Sequence, residues 1–208
     1  MEHDVNSVKI GRGYHHGDLR QALVDSALGI LAEKGVEAFS LRETARRAGV
    51  SPAAPKHHFP DTRGLLTALA TIAFSRLADT LEKADAAAGK DRRNRLMAQG
   101  AAYTGFALAE RALFDLMWRV SLLDLSDSKL LVEKARAFDC LDRLMRGAAA
   151  PRIAHDDPAM TRTIACWSLV HGFSRLMLDG GFGPESEVQA HMADILLPAM
   201  LGLLDIRD

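Results

Sequence analysis

The 208-residue sequence predicts an all-α protein of about nine helices. Apolar residues recur at the three- and four-residue spacing of a helix face, and no segment alternates apolar and polar residues for long. Alanine, leucine and arginine, which are strong helix formers, are abundant, whereas β-branched residues are sparse. Glycine and proline interrupt the pattern and mark the helix ends. The predicted helices cover residues 18–34, 41–48, 51–59, 61–87, 92–108, 112–123, 128–149, 158–178 and 185–204.

The second helix carries start and stop signals of its own. Ser40 stands at its N-cap, and Glu43 follows three residues later, which predicts a capping box. Gly49 comes directly after the helix and is expected to end it in the left-handed conformation. The joint to the third helix is then only about three residues long, and such a joint forces a sharp crossing angle.

The third and fourth helices also begin at polar caps. Ser51 is expected to cap the third, with Pro52 at its first position, where proline is tolerated. Pro55 lies four residues after Ser51 and cannot donate to its carbonyl, so we expect a tightened or bent first turn. Asp61 caps the long fourth helix, which at about 1.5 Å per residue would span on the order of 35–40 Å.

The three helices before Asp61 have the arrangement of a helix-turn-helix, a motif whose second short helix enters the DNA major groove. The net formal charge of the whole chain is −1, which by itself predicts no polyanionic partner. The segment from Lys9 to Arg63, however, holds nine Lys and Arg against six Asp and Glu. The N-terminal quarter is therefore the expected place for an anionic partner.

At this point the sequence resembles a known family. Five motifs, at Tyr14–Arg20, Ser40–Ala45, Ala48–Ser51, His58–Asp61 and Leu65–Leu66, resemble the N-terminal domain of TetR/AcrR-type transcriptional regulators. Trp167 with His171-Gly172 also resembles the Trp–His-Gly motif of one C-terminal subgroup of that family. The resemblance implies a dimeric DNA-binding regulator, most often a repressor, that releases its operator when a small molecule binds to the second helical block.

The resemblance implies three parts of the chain: a flexible N-terminal arm over 1–13, a helix-turn-helix domain over 14–61, and an effector-binding and dimerisation domain over 62–208. Lys56 departs from the family pattern, because a phosphate-binding tyrosine usually stands there; a lysine engages phosphate as a point charge. Gly64 departs where an acidic residue is common. The DNA contacts carried over are Tyr14, His15, His16, Ser40, Arg42, Thr44, Arg46, Ser51, Pro52, Ala53, Ala54, Lys56, His57, Thr62 and Arg63. The side chains of Pro52, Ala53 and Ala54 cannot hydrogen-bond to base edges, so we expect specificity to depend on DNA shape and phosphate register.

The second block offers a candidate pocket and a candidate dimer face. The aromatic residues there are typical of an effector pocket, although any helical core has the same composition. His171 could likewise be a ligand contact or a histidine that only packs in the core. The residues predicted for the pocket are Tyr103, Phe106, Phe114, Met117, Trp118, Trp167, His171 and Phe173. The last two helices are too apolar for a monomer to cover, unless both pack against the helices before them. The predicted dimer face is Ile164, Trp167, Val170, Val188, Met192, Ile195, Leu196, Ala199 and Leu203.

Other classes of protein are disfavoured. The sequence has no P-loop, GxSxG or HExxH motif, so we expect no enzyme, and adjacent histidines on a helix point apart, so we expect no metal or other cofactor. Cys140 and Cys166 form no CxxC pair, which is typical of a protein of the reducing cytosol. No apolar stretch is long enough to span a membrane. We therefore expect a cytoplasmic protein. The alternative to an effector-controlled regulator is a constitutive DNA-binding dimer controlled by a protein partner.

Overall fold

A computed structural model of the chain describes residues 16–147, 158–183 and 192–204. Over these ranges the chain is helical and contains no β-strand, which confirms the predicted all-α class. The eight α-helices are α1 His16–Lys34, α2 Leu41–Arg47, α3 Thr62–Ala87, α4 Arg92–Ala109, α5 Arg111–Met117, α6 Ser128–Arg146, α7 Pro158–Leu178 and α8 Leu197–Gly202. Two 3₁₀ turns, Ala54–His57 and Val120–Leu122, and one π turn, Met192–Leu196, complete these ranges.

The polar caps expected for α2 and α3 are present. The Ser40 hydroxyl accepts a hydrogen bond from the Glu43 N–H at 3.2 Å, and an Asp61 carboxylate oxygen accepts one from the Gly64 N–H at 2.8 Å. Gly49 has a φ of 70° and ends α2 in the left-handed conformation, as predicted. The capping box is only half formed, because the Glu43 carboxylate binds Arg46 instead of returning to the Ser40 N–H.

The long helix α3 runs through the centre of the molecule. Ten of its residues are buried, and it packs against α1 on one side and against α4, α5 and α6 on the others. Its length and composition would suffice to cross a membrane, but 56% of its most apolar window is buried inside the fold, as in the core helix of a globular protein. One continuous core therefore extends from α1 along α3 to α7 and α8.

Arginines join neighbouring helices of the second block across that core. Arg136 of α6 binds Glu82 of α3 at 2.8 and 3.0 Å and also contacts Asp79. Arg95 of α4 binds Asp85 of α3 through two hydrogen bonds of 2.9 and 2.5 Å. These bidentate pairs fix the orientation of α4 and α6 relative to α3.

The second block departs from prediction at two helices. The helix predicted over 112–123 ends at Met117, and the following residues form a 3₁₀ turn instead. The last helix is described only from Met192, where a π turn precedes α8. Pro198 has no N–H for the carbonyl four residues before it, so regular α-helical pairing is interrupted there. The described residues do not include the predicted arm over 1–13, the predicted DNA contacts Tyr14 and His15, or Val188 of the predicted dimer face.

Candidate nucleic-acid interface and effector cavity

The segment predicted as the recognition helix is a single tight turn. It forms a 3₁₀ turn over Ala54–His57, which confirms the tightening expected from Pro55. The prediction that Ser51 caps it was wrong: the N-cap is Ala53, without a side-chain cap, and the Ser51 backbone carbonyl accepts from the Ala54 N–H at 3.0 Å. Pro55 is itself buried against the small domain, so its ring both blocks the α-helical bond and anchors the turn.

The tight turn and the start of α2 present one exposed surface. Ser51, Pro52, Ala53, Lys56 and His57 are all exposed, and Ala54 is half-buried. Ser40 and Arg42, at the N-terminal end of α2, are exposed as well. The apolar side chains of this surface, those of Pro52, Ala53 and Ala54, cannot form hydrogen bonds. Only the few polar and basic side chains around them can therefore hydrogen-bond to a duplex.

Thr44 does not belong to that surface, which corrects its assignment as a DNA contact. Its side chain is fully buried, and its hydroxyl donates to the Ser40 carbonyl at 3.0 Å. Position 44 lies on the face of α2 that packs against α1, together with the buried Ala45. The spacing of the apolar residues alone could not assign Thr44 to the buried or to the exposed face of α2, because threonine is tolerated on both.

Two arginines of α2 are already paired with carboxylates. Arg46 binds Glu43 through two hydrogen bonds of 2.8 Å, and this guanidinium lowers the pKa of Glu43 to about 2. Arg47 binds Glu33 of α1 at 2.7 and 2.6 Å. The charge of Arg46 is therefore partly compensated, although its side chain is 73% exposed. Lys56 is exposed and takes part in none of the ion pairs seen within the described residues, so its charge is available to a phosphate.

The first turn of α3 connects the small domain to the second block. Thr62 is half-buried, and the Arg63 guanidinium donates to the Ser121 carbonyl at 3.2 Å. Arg63 thus binds within the molecule in this state. Gly64 is required by its surroundings, because a Cβ at that position would come within 2.8 Å of Pro60 Cδ. The family pattern usually has an acidic residue at this position. The close approach of Pro60 is the reason that glycine suits it in this chain.

The second block contains a cavity of about 620 Å³ between α3, α4, α6 and α7, with the end of α5 as a further wall. Among the predicted pocket residues, Tyr103, Trp118 and Trp167 line it. The others do not: the buried Phe114, Met117 and Phe173 form the core behind the wall, Phe106 borders a separate surface groove, and His171 lies behind Tyr103. The prediction that these five residues line the pocket directly was therefore wrong.

Aromatic rings and one histidine form a cluster at the deep end of the cavity. The Tyr103 hydroxyl lies 2.9 Å from His171 Nδ1, and the Trp118 ring centre lies 4.6 Å from that of His171. Burial raises the pKa of Tyr103 above its ordinary value, and burial together with the nearby Arg175 lowers the pKa of His171. Tyr103 therefore keeps its proton, and its hydroxyl shares a hydrogen bond with a neutral imidazole. His171 is a satisfied packing histidine in this arrangement.

The predicted dimer face divides into an outer and an inner part. Ile164, Ile195 and Leu203 are 40%, 56% and 83% exposed, and Ala199 is exposed as well. Leu196 is half-buried. Trp167 and Val170 instead line the cavity, so their placement on the face was wrong. The side chains of Val188 and Met192 fall outside the described part.

One residue of the outer part was missed from the sequence. Leu176 of α7 is 51% exposed and lies on the same helix as Ile164, further along the chain. At about 100° per residue the two side chains lie roughly 120° apart around the helix, so the apolar spacing alone gave no signal for Leu176. In the described ranges no three metal-ligating side chains come together, so no metal site is visible there.

Two family models match the chain. "Bacterial regulatory proteins, tetR family" matches residues 23–69, and "Tetracyclin repressor-like, C-terminal domain" matches residues 96–200. A curated relative, the HTH-type transcriptional regulator BetI of Rhizobium meliloti, is 40% identical over 73 residues. That match covers 35% of this chain, and the chain spans only 36% of the length of BetI.

Solved structures extend the likeness over the whole fold. A protein of unknown function from Rhodococcus sp. RHA1 is 34% identical, with a TM-score of 0.71, over 90% of this chain and 98% of its own. The TetR-like regulator LfrR of Mycobacterium smegmatis, solved in complex with proflavine, is 20% identical with a TM-score of 0.58 and shares the fold over 91% of this chain and 98% of its own. The chain therefore belongs to the TetR family of bacterial transcriptional regulators, which bind DNA through a helix-turn-helix and are not enzymes.

Proposed function

We propose that this protein is a dimeric repressor that binds one operator sequence and leaves it when a small molecule enters the cavity in the second block. The observation that carries the proposal is the position of Trp118. It lines the cavity, and the residues that directly follow it contact the loop between α1 and α2 and the first turns of α3.

Three contacts link the segment after Trp118 to the N-terminal part of the chain. Arg119 forms an ion pair of 3.2 Å with Glu37, in the loop between α1 and α2. The Ser121 carbonyl accepts from Arg63, as described above, and the Asp124 N–H donates to the Thr67 hydroxyl of α3 at 2.9 Å. We define residues 118–124 as the coupling segment, because it joins the cavity wall at Trp118 to the loop between α1 and α2 and to the first turns of α3.

A ligand acts on DNA binding through this segment only if it binds one arrangement of the wall better than another. A molecule that displaces the Trp118 indole shifts the coupling segment, and with it the first turns of α3. In a dimer, the two DNA-binding turns must reach successive major grooves about 34–36 Å apart. A small tilt of α3 in each subunit moves them out of that spacing and lowers affinity for the operator.

The proposal draws support from relatives as well. LfrR shares this fold and was solved in complex with proflavine, so a small molecule is accommodated in at least one protein of this architecture. The cavity volume of about 620 Å³ also lies within the range of about 300–1,000 Å³ typical of small-molecule sites.

The operator can be found by incubating the purified full-length protein with fragmented genomic DNA at low salt and sequencing the retained fragments. Affinity for the recovered site is then measured by fluorescence anisotropy as a function of salt. Lys56→Ala is expected to weaken binding and to reduce the salt slope by about two units for a dimer, since each lysine–phosphate contact contributes about one. Lys129→Ala, on the exposed side of α6, is the matched control.

Two results would contradict the proposal. One is that no duplex is retained at low salt; the other is that Lys56→Ala and Lys129→Ala behave alike. If the protein binds its operator tightly but no small molecule changes that affinity, control by a protein partner becomes the better description.

A further inference from the structure

The wall of the cavity is almost entirely apolar and contains five aromatic side chains. Of the 18 residues that line it, the aromatic ones are Phe74, Tyr103, Trp118, Phe138 and Trp167. Most of the others are aliphatic, and Gln99 and Lys134 are the main polar exceptions. A ligand that fits such a wall buries an apolar body, preferably with a ring that can stack against the edges and faces of these aromatic groups.

Lys134 is the one charged side chain among the cavity-lining residues of the described ranges, and it stands at the opening. It is exposed to solvent on α6, one turn after Leu131, which is 49% exposed. Across the opening, Ile164 of α7 is 40% exposed. None of the ion pairs of α6 seen within the described part of the chain involves Lys134. Its ammonium group is therefore available to a ligand that enters between α6 and α7.

The carboxylate that the lining residue Gln99 contacts is not available in the same way. Asp85 lies behind Gln99, whose amide N–H donates to it at 2.7 Å, and Arg95 binds the same carboxylate twice. Both carboxylate oxygens are thus occupied by donors of the protein. The end lined by Tyr103, with the neutral His171 behind it, offers no carboxylate either. A cationic ligand would lose its hydration there without gaining a counter-ion.

We propose that the cavity selects amphiphilic organic anions, in which a ring-containing apolar body lies between α3, α4 and α7 and a single carboxylate meets Lys134 at the opening. This inference rests on the proposed function, because it names the ligand class of the proposed effector cavity. The anion is favoured by a charge pair at the solvent boundary, where Lys134 loses little hydration, while the body supplies most of the affinity by burial.

The chain itself provides a reporter for the test. Its two tryptophans, Trp118 and Trp167, both line the cavity, so quenching of intrinsic fluorescence follows occupancy of this site. We would titrate the full-length protein with three compounds of the same shape: biphenyl-4-carboxylate, 4-biphenylmethanol and 4-biphenylmethylamine. The expected order of affinity is carboxylate, then alcohol, then amine, with the carboxylate bound about three- to tenfold more tightly than the alcohol.

Lys134→Met retains the apolar stem and removes the charge. It is expected to abolish the preference for the carboxylate over the alcohol while the affinity for the alcohol stays within about twofold. Lys129→Met, also on α6 but outside the lining, is the matched control and should leave all three affinities unchanged. Lys134→Glu should reverse the order and favour the amine.

The proposal is overturned if the alcohol or the amine binds wild-type protein as tightly as the carboxylate, if none of the three compounds quenches the tryptophans, or if Lys134→Met keeps the preference. Operator release is measured separately by anisotropy with the same compounds. Selective carboxylate binding without operator release would uphold the ligand class and contradict effector control. Release of operator by the alcohol or the amine alone would uphold effector control and contradict the proposed ligand class.

Discussion

At the scale of single residues, Gly64 shows how a local contact overrules helix propensity. Alanine is more favourable than glycine inside a helix by about 1 kcal/mol, yet a Cβ at position 64 would lie 2.8 Å from the ring of Pro60. We expect Gly64→Ala to lower the free energy of unfolding by about 1 kcal/mol or more, because a proline ring cannot move aside cheaply. Urea unfolding followed by circular dichroism measures the change.

Gly105 provides the matched control for that substitution. It is exposed in α4, and a Cβ there would meet nothing within 4 Å. Gly105→Ala should therefore raise the free energy of unfolding by about 0.5–1 kcal/mol. If both substitutions stabilise the protein equally, the close approach of Pro60 does not constrain the start of α3.

The Tyr103–His171 pair makes stability depend on pH near neutrality. The pKa of His171 is lowered in the folded protein from its ordinary value of 6.5, mainly by burial and further by Arg175. As the pH falls below that ordinary value, the unfolded chain binds the proton more readily, so stability decreases. Protonation also changes the hydrogen bond of 2.9 Å between Nδ1 and the Tyr103 hydroxyl, because both ring nitrogens are donors in the imidazolium.

We expect the melting temperature to fall between about pH 7 and about pH 5, and His171→Asn to reduce that fall, because the amide oxygen accepts from Tyr103 without titrating. Differential scanning calorimetry of both proteins at a series of pH values tests this. An equal decrease in wild type and variant would assign the effect to other groups.

At the scale of elements, the sequence was sufficient where the signal is local. Helix α3 begins and ends where Asp61 and the glycine-rich break after Ala87 predict, and α7 matches the prediction at both ends, Pro158 and Leu178. Caps and stops act within one turn, so they can be read without knowing the fold. The same local reasoning anticipated the tightening at Pro55, although it did not show how far the tightening would go.

The end of α5 could not be predicted in this way. Its apolar pattern continues to Leu123, but the α-helix stops at Met117 and the coupling segment turns back toward α3. The reason is tertiary, because the segment gains hydrogen bonds to Arg63 and Thr67, which lie more than fifty residues earlier in the chain. No local propensity carries information about such partners.

The coupling segment gives a prediction of its own. Arg119→Ala removes the ion pair with Glu37 and should leave ligand affinity unchanged, because Arg119 does not line the cavity. The ratio of operator affinities without and with ligand should fall by about two- to fivefold, since exposed ion pairs contribute about 0.2–1 kcal/mol. Tryptophan quenching measures the first quantity and anisotropy the second.

Glu37→Ala should have the same effect, and the double variant no larger one, if the pair acts as a unit. Additive losses would mean that the two side chains act separately and that the signal reaches the DNA-binding unit by another route.

At the scale of the whole molecule, the sequence revealed the presence of apolar faces better than their direction. Helix α7 is apolar nearly all round, and the prediction placed Trp167 and Val170 on the dimer face, whereas both turn inward to the cavity. Which side of such a helix faces the partner depends on how α4 and α6 pack against it, and hydrophobic periodicity does not contain that information. The cavity wall was equally hard to predict, because lining and supporting residues have the same composition.

Four exposed apolar side chains, Ile164, Leu176, Ile195 and Leu203, lie on α7 and around α8 and define the surface for the last prediction. Burial of one such side chain contributes about 1.5–3 kcal/mol, and a two-fold interface counts it twice. The double variant Ile195→Glu/Leu203→Glu should therefore raise the dimer dissociation constant at least about a hundredfold, as measured by sedimentation velocity. Operator affinity should fall with it, because a monomer reaches only one major groove. Val132→Glu is the control, since Val132 is 62% exposed and lies on α6, which carries none of these four side chains. Should Val132→Glu dissociate the dimer while the double variant does not, the two-fold interface involves α6, and the opening of the cavity beside Lys134 is then closed by the partner subunit.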